Sequence, residues 1–235
     1  MKKHFLLWAV ALMLIFASAC GPKEKVIEPV NIDSSDVDEY LINLPEYSKI
    51  EVTVDKSEFS EELTDDYINR FYERLAQDRE GLTDEEGNLL PLSEQTIKLL
   101  DIPAFSTVNE FKVFVRGVVQ DFIAAENDDK KIDAALSVMR TDAEFAEIPE
   151  GYVLKFKEKI IKAHEELAAK YEITPEYYLE LSSISLEDEA YKDAMNELIY
   201  IKLADRIGLE YSSDEELYNG VSDYLLSIVK VVKNK

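Results

Sequence analysis

The chain has 235 residues, with 49 Asp and Glu against 26 Lys and Arg, and a formal charge of −23. That length buries a sizeable core, and 46% apolar with 32% charged residues is a folding composition rather than a disordered one. The acidity argues against nucleic acid, whose phosphates need clustered Lys and Arg. Seven glycines and seven prolines disfavour turn-rich β folds and glycine-built phosphate cradles.

The first nineteen residues read as a signal peptide. Lys2 and Lys3 precede an apolar run from Phe5 to Phe16, and small residues Ala17-Ser18-Ala19 follow. The run is shorter than the roughly 20 residues a membrane-crossing helix needs. Cys20, the single cysteine, comes next, and Phe16-Ala17-Ser18-Ala19-Cys20 resembles the bacterial lipoprotein box. The resemblance implies that Cys20 is lipidated and becomes the mature N-terminus, anchoring the protein to the cell membrane and facing outside the cytoplasm. Ala17 stands where Leu is the commoner residue. Cleavage takes the formal charge to −25 and leaves one histidine, His164, and no cysteine besides the anchor. Disulfides within the fold, Cys–His catalysis and a His/Cys zinc site are then excluded.

Residues 20–43 read as the lipidated cysteine and a flexible tether, polar at Gly21–Lys25 and acidic from Asn31 to Glu39. Ile50, Val52 and Val54 alternate with Glu51, Thr53 and Asp55, which predicts one short strand. Thr64 before Asp65-Asp66 predicts a helix start, with Tyr67/Ile68, Phe71/Tyr72 and Leu75 as its stripe. Asp84 to Asn88 reads as a turn, and Ser93 opens a short segment.

Thr107-Val108-Asn109-Glu110 is a capping box. Phe111, Phe114/Val115, Val118/Val119 and Phe122/Ile123 follow at helical spacing, and continuation through Ile132, Ala135/Leu136 and Met139 predicts a helix of roughly 33 residues, about 50 Å long. Asn127 to Lys131 is a candidate irregularity within it. Pro149 predicts a helix start with Val153, Phe156, Ile160, Leu167 and Tyr171 inward. Thr174-Pro175 repeats the cap-then-proline device. Ser185-Leu186-Glu187-Asp188 opens another helix, with Tyr191, Ala194, Leu198, Ile201 and Ala204, ending at Gly208. Ser213 to Glu216 is a second capping box, ahead of Leu217, Val221, Tyr224/Leu225, Ile228 and Val232. The expectation is an elongated all-α fold of six or seven helices with one strand near its start.

Catalytic signatures are missing. The acids at 84–88 do not alternate as a calcium loop requires, and no glycine loop precedes a Lys-Ser/Thr pair. His164 among glutamates on an amphipathic helix reads as a packed or solvated side chain. Neither a cofactor nor a metal is expected. The aromatic content stands out instead: 13 Tyr and 10 Phe, with Tyr171, Tyr177, Tyr178, Tyr191 and Tyr200 as candidates for an exposed, protein-binding set.

Residues from about 44 to 228 resemble the C-terminal substrate-binding domain of trigger factor, whose fold is shared with SurA-type periplasmic chaperones. The resemblance rests on Leu44-Pro45-Glu46-Tyr47-Ser48-Lys49-Ile50-Glu51-Val52, on Glu62-Leu63-Thr64-Asp65-Asp66-Tyr67-Ile68, and on Leu92 to Lys98. Ser106-Thr107-Val108-Asn109-Glu110-Phe111, Phe145 to Glu150, and Gly208 to Leu217 complete it. Where that family inserts an FKBP-like prolyl isomerase domain, only residues 78–91 stand here, too few for a domain. Its ribosome-docking domain is replaced by the signal, lipid site and tether, so no ribosome contact and no enzymatic isomerisation are expected.

The resemblance implies a helical chaperone domain over residues 44–235, binding unfolded or newly exported polypeptides without ATP. The arm residues expected to touch clients are Tyr177, Tyr178 and Leu181. The alternative is a surface lipoprotein that reuses the fold as an adaptor for one dedicated protein partner.

Overall fold

A computed structural model of the chain describes residues 27–77, 79–170, 174 and 185–232. The fold is all-α with small β pieces: seven helices and four strands of two or three residues among the described residues. The chain divides into two compact units, one made of the residues up to Tyr40 with Phe145–Leu198, the other of Leu41–Glu144 with Ile199–Lys235. Each unit is assembled from separated stretches of chain.

The first unit holds α1 (Val37–Tyr40), α5 (Glu150–Lys170) and the start of α6 (Leu186–Ile207). The tether expected over 20–43 does not extend through the described part. Ile32 and Val37 are buried, and the Val30 N–H donates to the Gly151 carbonyl at 3.0 Å. Gly151 permits that approach, because a Cβ there would stand 2.3 Å from the Glu28 carbonyl oxygen. The apolar residues among the acids, invisible to a charge count, decide the packing. Pro149 lies one residue ahead of α5, its carbonyl accepting from Tyr152 and Val153. Tyr152 and Phe156 carry the buried face as an edge-on ring pair 5.3 Å apart, while Val153, Ile160 and Leu167 are only half-buried. Ala190, Ala194 and Leu198 bury one side of α6, and its Glu197, also buried, pairs with Lys155 at 2.9 Å.

The second unit is built on one long helix. α2 (Glu61–Ala76) begins earlier than expected, because Ser60 and not Thr64 is the cap: the Ser60 hydroxyl accepts from the Leu63 N–H at 3.0 Å. Thr64 is buried inside the first turn and donates back to the Ser60 carbonyl at 2.9 Å. The turn at 84–88 forms as expected. The Asp84 carboxylate accepts from the N–H groups of Glu86 and Asn88, and Gly87 supplies the left-handed conformation at φ +84. This return carries Leu82 into the core below α3 (Glu94–Leu100), which Ser93 and Thr96 cap reciprocally.

The capping box expected at Thr107 is present and opens α4 (Val108–Asp142), 35 unbroken residues. Asn127, expected near an irregularity, leaves the helix intact. Its side-chain amide clasps both backbone groups of Ser57, at 2.8 and 3.0 Å. Ser57 also donates to Glu126, and Lys130 donates to Ser57, so the loop before α2 is pinned to the middle of α4.

Strands β1 (Leu41–Asn43) and β3 (Glu144–Phe145) pair, as do β2 (Ile50–Val52) and β4 (Val229–Val231). The expected strand is β2. Its partner was hidden in the last helical stripe: α7 (Asp214–Ile228) stops at Ile228, and Val229-Lys230-Val231 runs parallel to β2. Four valines among the seven residues from 229 to 232 and 50 to 52 favour the pleated form over another helical turn. Gly208, at φ +69, closes α6 as a Schellman cap, with Leu209 N–H bonded to Ala204 and Gly208 N–H to Asp205.

Candidate functional site

The apolar residues of the first half of α4 come in adjacent pairs, Phe114-Val115, Val118-Val119 and Phe122-Ile123, repeating every fourth residue. Such spacing makes two parallel columns on a helix, about 100° apart. The core takes one. Phe111, Val115, Val119 and Ile123 are buried against Ile68, Tyr72, Leu82, Ile97 and Leu100. The other column faces solvent, with Phe114 and Val118 each 41% exposed and Phe122 55% exposed. Val113, 57% exposed, widens it. From Phe114 to Phe122 the row spans about 12 Å at 1.5 Å per residue.

The exposed rings are held rather than loose. Phe114 lies 6.0 Å from Phe71 and 5.7 Å from Phe105, and Phe122 lies 6.4 Å from Tyr67, all tilted contacts. Those neighbours are themselves packed on the buried cluster. The surface is therefore preformed, and little side-chain freedom remains to be lost when something covers it. Its rim is ionic: Arg116 pairs with Glu61 at 2.8 Å and Arg70 with Asp66 at 3.0 Å. Further along α4, hydrogen bonds from Lys130 and then Ser57 hold the Glu126 carboxyl below its usual range.

A second concavity, of about 470 Å³, is lined by Tyr47, Leu203, Arg206, Ile207 and Tyr224. Its polar groups are already engaged. Arg206 donates to the carbonyls of Leu44 and Pro45, Tyr224 donates to the Tyr47 carbonyl at 3.3 Å, and Tyr47 donates to Asp142 at 3.0 Å. Burial first, and the Asp142 bond next, push the Tyr47 hydroxyl up to about 12. These bonds tie the approach to β2 onto α4, α6 and α7.

Of the residues singled out from sequence, Cys20, Tyr177, Tyr178 and Leu181 lie outside the described residues, as does Tyr171. Tyr191 is exposed, as the aromatic set required. Tyr200 is not: it is buried, edge-on to Tyr218 at 5.0 Å and hydrogen-bonded to Ser222. Phe114, Val118 and Phe122 were counted only as part of a helical stripe. The doubling of the stripe was the signal that one column would stay bare.

Among the described residues no cluster of three or more His, Cys, Asp or Glu gathers to hold a metal ion, and no helix is long and apolar enough to cross a membrane. No protein-family model, curated protein or solved structure matches this chain.

Proposed function

We propose that this protein is a membrane-tethered, extracytoplasmic chaperone that holds unfolded or newly exported polypeptides without ATP. The observation that carries the reading is the bare apolar column Phe114, Val118 and Phe122, held in place by rings beneath it. Contiguous exposed apolar surface of this kind marks a binding site for other apolar groups. Clients bury apolar segments on it through a few weak contacts, which gives low sequence specificity and fast release. The net charge of −23 keeps such a surface soluble and draws clients with basic segments.

The resemblance to the substrate-binding domain of trigger factor supports the same reading, and so does the lipoprotein box at Cys20, which confines the holder to the membrane surface. Tyr177, Tyr178 and Leu181 are proposed to add to the client surface. Diluting a chemically unfolded, cysteine-free client into buffer and following light scattering tests the proposal. Suppression that rises with the protein's concentration, with no nucleotide added, is the expected result. No suppression across several clients, together with a pulldown dominated by one stoichiometric protein, would overturn it in favour of a dedicated adaptor.

A further inference from the structure

The small β piece of the second unit has an open side. In the β2–β4 pair, Ile50 stands opposite Val229 and Val52 opposite Val231, and the Val232 N–H donates to the Val52 carbonyl at 2.8 Å. In a parallel ladder alternate residues direct both backbone groups to the same neighbour. Ile50 and Val52 therefore serve β4, and Glu51 turns its N–H and carbonyl to the opposite edge, as Thr53 turns its N–H. No backbone or side-chain hydrogen bond among the described residues uses those groups. The Glu51 side chain is occupied separately, by Lys49 at 2.5 Å and Lys230 at 3.8 Å.

Beside this edge runs a groove of about 420 Å³, within the range of roughly 300–1,000 Å³ typical of ligand sites. One wall is Glu51–Thr53, and the other is the α4 face bearing Ala134, Ser137, Val138 and Thr141. No residue of β4 lines it, so it lies on the unpaired side of β2. The α4 wall is made of short side chains, which leaves a backbone room to lie alongside. An unpaired strand edge is a template for another strand.

We propose that β2 accepts an extended polypeptide as an added strand. The occupant's main chain pairs with Glu51 and Thr53, and its alternate side chains lie over Ala134 and Val138. Asp142 at the groove's end, in a chain of net charge −23, selects occupants that carry Lys or Arg. The inference rests on the chaperone reading and deepens it: recognition of main chain is blind to sequence, as a holder of many clients requires. The edge and the α4 column then read different properties of a client, its extended backbone and its apolar side chains.

The test is a fluorescence-anisotropy titration of the purified protein with a labelled, end-blocked peptide of alternating Val and Lys. A second peptide of the same sequence is N-methylated at every other residue along one edge. The N-methylated peptide is expected to bind about tenfold more weakly, through lost donors. Thr53→Pro, which removes an outward N–H, and Ser137→Trp, which fills the groove from the exposed face of α4, should each weaken the unmodified peptide similarly. Ser137→Trp leaves every strand bond in place, so it reports even if Thr53→Pro fails to fold.

Equal affinity for the two peptides overturns the proposal. So does a concentration-dependent dimer that Ser137→Trp dissolves, which would make a second copy the occupant. If the peptides bind alike while aggregation is still suppressed, the strand edge fails and the chaperone reading stands. If N-methylation weakens binding but no client is protected, the chaperone reading fails and the edge stands.

Discussion

The two halves of α4 share one helix and differ in what they leave uncovered. In the second half, one row (Ile132, Ala135, Leu136 and Met139) is buried, with β2, β4 and α7 packed on the helix. Most of the remaining residues are polar (Asp128, Asp129, Lys130, Lys131, Asp133, Ser137 and Arg140), and the apolar pair Ala134 and Val138 is half-buried beside β2. In the first half one row is likewise buried, yet a second row of Phe114, Val118 and Phe122 stands in solvent. The second half is held by its buried stripe and carries no large exposed apolar side chain. The extra row lies outside the buried cluster, and its exposure needs a reason outside the fold.

That contrast is open to direct attack, starting with the buried rows. Phe111→Ala should cost about 3–5 kcal/mol in urea unfolding, because the ring is fully buried amid Phe71, Tyr72 and Phe105. Met139→Ala, equally buried in the second half, should cost about 2–5 kcal/mol. If it spares the fold, it should also leave aggregation suppression intact. A loss of suppression in a folded Met139→Ala protein would contradict the assignment of apolar capture to the first half.

Smaller effects belong to the caps. Thr107→Ala removes the hydroxyl that accepts from the Glu110 N–H at 3.2 Å and should cost about 1 kcal/mol. The same device recurs at α7, where the Ser213 hydroxyl accepts from Glu216 N–H and the Glu216 carboxylate accepts from Ser212 N–H and hydroxyl. Bonds from Ser106 hold the Glu110 carboxyl below its ordinary value, and bonds from Ser212 do the same for Glu216. A depressed folded-state value means that each contributes stability above the unfolded value of 4.5, which is lost as pH falls through the folded one. Unfolding midpoints measured from pH 6 down to 3 should fall less steeply in Glu110→Gln than in the parent chain. An unchanged slope would mean that the Ser106 contacts do not survive in solution.

Much of the fold was legible in the sequence. Local chemistry announces itself in Thr107 with Glu110, in Asp84 with Gly87, and in Gly208, each of which works within a few residues of itself. Thr64 reads as a cap because acids follow it, yet acids follow Ser60 as well, and what separates the two is burial, a property of the packed unit. β4 was hidden for a similar reason. Val232 continues the helical period of Ile228 while Val229 and Val231 alternate as a strand, and only the presence of β2 beside them settles the choice. The division into two units was not legible either, since each draws on stretches more than fifty residues apart, and no local pattern records such pairing. At the candidate site the sequence held all the residues but not their roles. A doubled stripe states that two columns exist and is silent on which one the core takes.

The central claim is that the bare column on the first half of α4 captures unfolded chains. The most direct measurement compares the parent protein with Phe114→Ser/Val118→Ser/Phe122→Ser, each added in equal amount to a client diluted from denaturant, with light scattering as the readout and urea unfolding as the control. The account predicts that the variant stays folded, as exposed positions allow, and loses most of its protection of the client. A folded triple variant that protects as well as the parent would contradict it.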